Sequence, residues 1–160
     1  MKVKLIILFV FVSCNLRAAD LFIEAESFSN KGGWKVDQQF MDLMGSPYLL
    51  AHGMGVPVDD ASTEVTFPEK GEYYVYVRTY NWTSPWKKGE GPGKFSLSVG
   101  GKKMTSPLGA EGSAWMWQIA GKVSVKNLKT VIKLVANIRM LRNLHCDVHV
   151  ACNFVQGNNT

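Results

Sequence analysis

The chain has 160 residues, of which 46% are hydrophobic and 19% are charged. It carries 18 Lys and Arg against 13 Asp and Glu, which gives a formal charge of +5. Lys2, Lys4 and Arg17 all lie in the first 19 residues, which contain no acidic residue, so the remainder carries only +2. That nearly balanced surface argues against nucleic acid or an anionic membrane as the partner.

The first 19 residues have the pattern of a secretory signal peptide. Lys2 and Lys4 precede an apolar run over residues 5–12, which is too short to span a bilayer as a mature helix. The small residues Ala18 and Ala19 favour cleavage near Asp20. We therefore expect a signal peptide over residues 1–19 and a mature protein in the periplasm or outside the cell, without a membrane span. In an alternative interpretation, Cys14 is the lipidated cysteine of a bacterial lipoprotein.

The rest of the chain has the short, turn-separated segments of antiparallel β structure. No internal repeat stands out, and no helical period is clear before residue 135, so we predict an all-β fold: one β-sandwich (jelly roll) over residues 20–155. Residues 156–160 are predicted to form a linker or frayed tail. Residues 135–144 also fit a short amphipathic helix, and residues 146–150 fit a closing strand. The other predicted strands are residues 21–26, 61–67, 73–79, 95–99, 121–125 and 129–134.

Aromatic residues between the predicted strands are the most suggestive feature for function. Flat rings in loops offer apolar faces to the C–H faces of sugars. Trp82 and Trp86, which lie among glycines, prolines and lysines, are expected to be exposed, and exposed tryptophan usually needs a reason. In the alternative interpretation, Trp115 and Trp117 share one face of a strand and pack in the core. The aromatic candidates for ligand binding are Tyr80, Trp82, Trp86, Trp115 and Trp117.

Polar residues near these rings are candidates for hydrogen bonds to sugar hydroxyls. Asn81, Gln118 and Lys87 are suited to that role, and His52 lies in a glycine-containing loop where it either binds ligand or serves as a hydrogen-bonded loop residue. The sequence has no recognisable nucleophile motif, P-loop or dinucleotide fingerprint. We therefore predict a non-catalytic protein.

Two carboxylates in the first predicted strand are candidates for metal binding. Glu24 and Glu26 are two residues apart, so in a strand they project from the same face. With Asp147 on the predicted final strand, they would offer hard oxygen ligands to Ca²⁺. The alternative is a solvated pair, or a pair in which one carboxylate contacts Lys or Arg.

Four segments together carry a resemblance to a known group of domains: residues 22–28, 32–42, 45–55 and 75–82. They resemble the N-terminal accessory domain of exported bacterial FAD-dependent oxidoreductases and of proteins labelled xanthan lyase. The opening Glu-Ala-Glu is also similar to carbohydrate-binding module families 6 and 35. The resemblance implies a β-sandwich with a structural calcium held partly by Glu24, Glu26 and Asp147.

The resemblance covers roughly residues 21–134, and residues 135–144 depart from the pattern. The flavin domain of the longer relatives does not follow in this chain, so we expect no FAD in it. The leading hypothesis is an exported accessory module that binds carbohydrate, free-standing or associated with an enzyme domain. One alternative is a fragment of an FAD-dependent oxidoreductase or polysaccharide lyase, left by a shortened or frame-damaged gene. Another is a domain that docks to a partner protein.

Overall fold

The computed structural model describes residues 19–51, 58–81, 94–104, 107–136 and 151–156. Within these ranges, the α-helix α1 spans Met41–Met44 and a 3₁₀ turn spans Ala25–Ser27. Neither is long and apolar enough to cross a membrane. The strands in the described ranges are β1 (Leu21–Glu24), β2 (Lys35–Asp37), β3 (Tyr48–Leu50), β4 (Ala61–Thr66), β5 (Gly71–Thr79), β6 (Phe95–Val99), β7 (Lys102–Lys103), β8 (Met116–Val125), β9 (Lys129–Ala136) and β10 (Ala151–Gln156).

Eight of these strands form two four-stranded antiparallel sheets. The first sheet has the order β1-β10-β5-β8, and the second sheet has the order β4-β9-β6-β7. Strands β2 and β3 form a separate antiparallel pair. The predicted all-β sandwich is thus confirmed, and the strands predicted at 61–67, 73–79, 95–99 and 129–134 correspond to β4, β5, β6 and β9. Strand β8 begins at Met116, well before the predicted strand 121–125, so Trp117 lies in a strand and not in a loop.

The core lies between the two sheets, because side chains along each strand alternate between an inner and an outer face. In β5, Tyr73, Val75 and Val77 are fully buried whereas Tyr74 is exposed. The Phe67 ring, just after β4, lies 5.0 Å from the Tyr73 ring and 5.3 Å from the Phe154 ring, measured between centroids. These edge-on aromatic contacts join the two sheets, and burial of the inner faces supplies the main driving force for folding.

A β-bulge interrupts the pairing of β5 with β8. Val75 lies opposite Gly121 and Tyr76 lies opposite Ile119, so the register shifts by one residue at this point. Gly121 adopts a φ of +137°, a backbone conformation that residues other than glycine rarely adopt. The bulge decides which side chains of β8 face outwards beyond it, because a one-residue slip reverses the face of every following residue.

The structure corrects three further expectations drawn from the sequence. Strand β1 ends at Glu24 and the chain turns at once into the 3₁₀ turn, so Glu26 does not lie in the strand beside Glu24. Strand β9 continues to Ala136, which pairs with Phe95, so the start of the alternative helix is strand because β6 offers it a hydrogen-bonding partner. Gln156 belongs to β10 and pairs with Tyr73, so the predicted tail begins one residue too early. The closing strand predicted at residues 146–150 lies outside the described residues.

Candidate functional site

Four aromatic rings meet where β5 ends and β8 begins; we call Phe40, Tyr48, Tyr80 and Trp115 the aromatic cluster. The Tyr80 and Trp115 rings stack at 5.7 Å between centroids with an interplanar angle of 29°. The Tyr48 ring lies 5.2 Å from Trp115, and Phe40 meets Tyr80 edge-on at 5.3 Å. Aromatic pairs prefer such offset and edge-on arrangements. The rings therefore support one another in a fixed platform.

The pairing of two strands brings Tyr80 and Trp115 together. Thr79 and Met116 are the last pair between β5 and β8. Tyr80 follows Thr79 and Trp115 precedes Met116, so the next position along the antiparallel pair places their side chains side by side. Tyr80 and Trp115 thus extend the outer face of the first sheet beyond the ends of its strands.

The segment from β2 to β3 supplies the other two rings. Tyr48 is fully buried, and its hydroxyl donates a hydrogen bond of 2.6 Å to Oδ1 of Asp37. The same oxygen accepts a hydrogen bond of 2.7 Å from the backbone N–H of Gln39. Tyr48 is therefore the base of the cluster, whereas Phe40, Tyr80 and Trp115 are only half-buried and keep ring surface at the solvent.

Arg78 joins this segment to the first sheet. Its Nη1 donates to the carbonyl of Met44 at 3.3 Å, and its Nη2 donates to the carbonyl of Leu43 at 3.2 Å. These carbonyls end α1, where backbone acceptors lack helical partners. The guanidinium carbon also lies 6.0 Å from the centroid of the Trp115 ring, within the range of a cation–π contact. Arg78 thus holds α1 and Trp115 in one arrangement.

Two predicted polar contacts instead anchor the loop that precedes Trp115. Asn81 is only 2% exposed, and its Nδ2 donates to the carbonyl of Ala110 at 2.8 Å. Gln118 accepts from the backbone N–H of Gly109 at 3.3 Å and donates to the carbonyl of Glu111 at 3.4 Å. Asn81 therefore positions this loop, and its predicted contact with a ligand stays a prediction.

Trp117 lies on the outer face of β8, opposite Arg78 of β5. It is 44% exposed, and its ring meets Phe22 of β1 edge-on at 6.4 Å. Trp115 is half-buried. The alternative in which Trp115 and Trp117 pack in the core is therefore wrong: they share a face, but it is the outer one.

Several residues predicted for the site fall outside the described part of the chain. These are His52, Trp82 and Trp86 among the ligand-binding candidates, Lys87 among their polar neighbours, and Asp147 among the metal ligands. Their roles stay predictions.

The candidate metal carboxylates lie at the end of β1. Glu24 is exposed, whereas Glu26 is partly buried in the 3₁₀ turn. Burial raises the pKa of Glu26, and the charge of Glu24 adds to the rise, against opposing hydrogen bonds from the backbone of Glu26 and the side chain of Ser46. Among the described residues, Oε2 of Glu26 is buried without a hydrogen-bond partner, and no group of three or more His, Cys, Asp or Glu is placed to hold a metal.

Sequence reasoning missed Phe40, Tyr48, Arg78 and Phe22. A usable signal was present for Arg78, because Tyr74, Tyr76, Arg78 and Tyr80 recur at every second position and so mark one face of a strand. Phe40 and Tyr48 carried no such signal, since they reach the site only through the folding of the β2–β3 segment.

No protein-family model and no curated protein matches the chain. Solved structures do match. A β-(1,4)-mannanase from Podospora anserina with a family 35 module has 15% identity and a TM-score of 0.65, over 90% of this chain and 29% of that one. A family 36 carbohydrate-binding module of a xylanase from the hindgut metagenome of Trinervitermes trinervoides has 15% identity and a TM-score of 0.58, over 88% and 99% of the two chains.

The C-terminal family 6 module of a marine laminarinase from Zobellia galactanivorans has 17% identity and a TM-score of 0.58, over 86% of this chain and 99% of that one. At these identities the likeness shows the fold: the chain has the β-sandwich of carbohydrate-binding modules. It spans less than a third of the mannanase but nearly the whole of the two single modules.

Proposed function

We propose that the chain is an exported, non-catalytic module that binds a glycan, with a sugar ring stacked on the accessible faces of Trp115 and Tyr80. The observation that carries this proposal is the aromatic cluster. Three of its rings, Phe40, Tyr80 and Trp115, are only partly buried although each is braced by neighbours, as expected of a ligand-binding surface.

The bracing matters for affinity because binding carries the cost of ordering side chains at the interface. Trp115 is held by Tyr48, Phe40, Tyr80 and Arg78 before any ligand arrives. A sugar that stacks on it therefore meets a surface that is already in place. Of the other predicted contacts, His52, Trp82 and Trp86 remain candidates to complete the site.

Retardation in native gels that contain a polysaccharide would test the proposal. The fold neighbours belong to a mannanase, a xylanase and a laminarinase, so β-1,4-mannan, xylan and laminarin are the first probes. We expect at least one of them to slow the protein, and we expect Trp115→Ala to weaken that binding about tenfold or more. Val131→Ala, which removes an exposed side chain from the outer face of the second sheet, is the matched control and should leave binding unchanged.

Circular dichroism of each variant separates lost binding from lost folding. Retention of full affinity by a folded Trp115→Ala variant would contradict the proposed site. A Trp82→Ala, Trp86→Ala double variant tests the remaining aromatic candidates in the same gels, and we expect it to lower affinity as well.

We also propose that Ca²⁺ binds at Glu24 and Glu26, with Asp147 expected from the sequence as a further ligand. The partly buried carboxylate of Glu26, with Oε2 unpartnered among the described atoms and Glu24 as a like-charged neighbour, suits a hard cation. A bound ion would supply neutralising charge there. We expect EGTA to lower the Tm and added Ca²⁺ to restore it; an unchanged Tm would contradict the site.

We propose that the module acts in the periplasm or outside the cell.

The alternative of a flavin-enzyme fragment gains no support from the described residues, in which the aromatic cluster is the feature that suggests a function. Absorbance in the visible range after purification distinguishes the two. We expect a colourless protein, and a flavin spectrum that survives gel filtration would favour the alternative.

A further inference from the structure

A second set of exposed side chains covers the outer face of the first sheet. We call Phe22, Tyr74, Tyr76, Trp117 and Ile119 the sheet-face stripe. Four of them expose 42% to 60% of their surface, Ile119 the most and Tyr74 the least. Strand register orders them in rows, with Trp117 opposite Arg78, Ile119 opposite Tyr76, and Lys122 opposite Tyr74.

The stripe is continuous with the aromatic cluster. Trp115 and Trp117 are two residues apart on one face, and Arg78 contacts Trp115 while lying opposite Trp117. From Tyr80 to Tyr74 the outer face extends over six residues, or about 20 Å of strand. That length has room for several sugar rings in line, whereas the aromatic cluster covers only one end of it.

The chemistry of the stripe fits a hydroxyl-rich chain better than a protein partner. Charged groups stand between the rings: Glu24 and Arg78 share the row of Trp117, and Lys122 lies 5.5 Å from the centroid of the Tyr74 ring. The core of a protein interface is depleted of charged residues. Rings interleaved with hydrogen-bonding groups instead match the alternating C–H faces and hydroxyls of a polysaccharide.

We infer that the sheet-face stripe continues the site of the aromatic cluster, so that the ligand is an internal stretch of a polysaccharide chain rather than a single sugar or a chain end. This inference rests on the proposed function. Trp115 and Tyr80 bind one part of the chain, and Trp117 with Phe22 binds sugars farther along it.

Isothermal titration with mono-, di- and hexasaccharides from mannan, xylan and laminarin tests the inference. We expect the hexasaccharide to bind about tenfold or more tightly than the disaccharide. In Trp117→Ala and Phe22→Ala this gain should shrink to about threefold or less, while disaccharide affinity stays near wild type. Trp115→Ala should weaken binding of every length, and Val131→Ala should change none.

The outcomes separate the two proposals. Equal affinity for disaccharide and hexasaccharide, or a full gain with chain length in Trp117→Ala, would overturn the extended site while leaving the aromatic cluster as a glycan site. If Trp115→Ala leaves every affinity unchanged, or no sugar of any length binds the wild-type protein, the proposed function fails and the inference fails with it. Trp117 and Phe22 are substantially exposed, so their alanine variants should fold, and circular dichroism checks this.

Discussion

The outer faces of the two sheets differ in chemistry although both belong to the same sandwich. The first sheet exposes the rings and aliphatic groups of the stripe. The second sheet exposes mainly hydroxyls and charges, with Val131 as its large apolar side chain, 41% exposed. Its outward residues along β4 and β9 are Ser62, Glu64, Thr66, Lys129, Val131, Lys133 and the partly buried Val135. Folding requires only the inner faces to be apolar, and the outer face of the second sheet meets no more than that requirement. The additional exposed aromatic and apolar side chains on the first sheet therefore indicate a binding surface.

The largest loss of stability should come from a substitution at the β-bulge, which orients the side chains of the sheet-face stripe. We expect Gly121→Ala to lower the free energy of unfolding by about 2 to 3 kcal/mol, because alanine resists a φ of +137°. The added Cβ would also lie 2.9 Å from Cε of Met104, which is flexible enough to move aside. Urea denaturation followed by circular dichroism measures the change.

The second sheet offers a matched control at Gly101, in the turn between β6 and β7. Gly101 also has a positive φ, +82°, but an added Cβ would meet nothing within 4 Å. Gly101→Ala should therefore cost only about 1 kcal/mol and leave glycan binding intact. Equal losses of stability in the two variants would show that the bulge has no special role in the first sheet.

A smaller effect is expected at Arg78, which ties the cluster to the first sheet. Arg78→Ala should lower the free energy of unfolding by about 2 kcal/mol through two lost charged hydrogen bonds and the contact with Trp115. It should also shift tryptophan fluorescence, because Trp115 loses a neighbour. Lys133→Ala, on the outer face of the second sheet, should stay within about 0.5 kcal/mol of wild type. An Arg78→Ala variant with wild-type stability and fluorescence would show that Arg78 does not hold α1 and Trp115 in place.

The smallest effect concerns the carboxylates. Burial raises the folded-state pKa of Glu26 above 4.5. The protonated carboxyl therefore adds to the free energy of unfolding below the unfolded-state pKa, and this contribution is lost as pH rises through the folded-state pKa. In EGTA at pH 7, Glu26→Gln should therefore be more stable than wild type, by less than about 1 kcal/mol after discounting for solvent screening. The difference should vanish below about pH 4.

With calcium present the sign should reverse, since the glutamine variant loses a ligand. Glu64→Gln on the second sheet supplies the control, and its stability should change by no more than about 0.5 kcal/mol in either buffer. If Glu26→Gln is as stable as wild type in both EGTA and calcium, neither the burial of this carboxylate nor its role as a ligand has an energetic consequence.

Much of the sandwich could be predicted from local pattern. The alternation of Tyr73, Val75 and Val77 with outward-facing residues identifies β5 without any knowledge of its partners, because a strand with one buried face has a period of two. The 3₁₀ turn after Glu24 could not be predicted in this way, since Ala25 and Glu26 continue the same alternation. Tertiary packing overrode the local pattern there and took Glu26 out of the strand.

For the site, the sequence indicated the residue types but not their roles. Tyr80, Asn81, Trp115 and Trp117 all have properties suited to sugar binding. The structure nevertheless buries Asn81 under the loop at Ala110 and leaves Trp117 exposed. Burial depends on which loop folds over a side chain, and no short window of sequence contains that information.

The period of the strands and the supply of aromatic rings can be read from the chain alone, because both follow from residue type and spacing. The folded sandwich is needed to show that Tyr80 and Trp115, far apart in the chain, stack on each other and that Arg78 braces Trp115. The same holds for Trp117 and Phe22, which share the outer face of one sheet. Strand order and the β-bulge set these neighbours, and both arise from the packing of the whole sandwich rather than from any local segment.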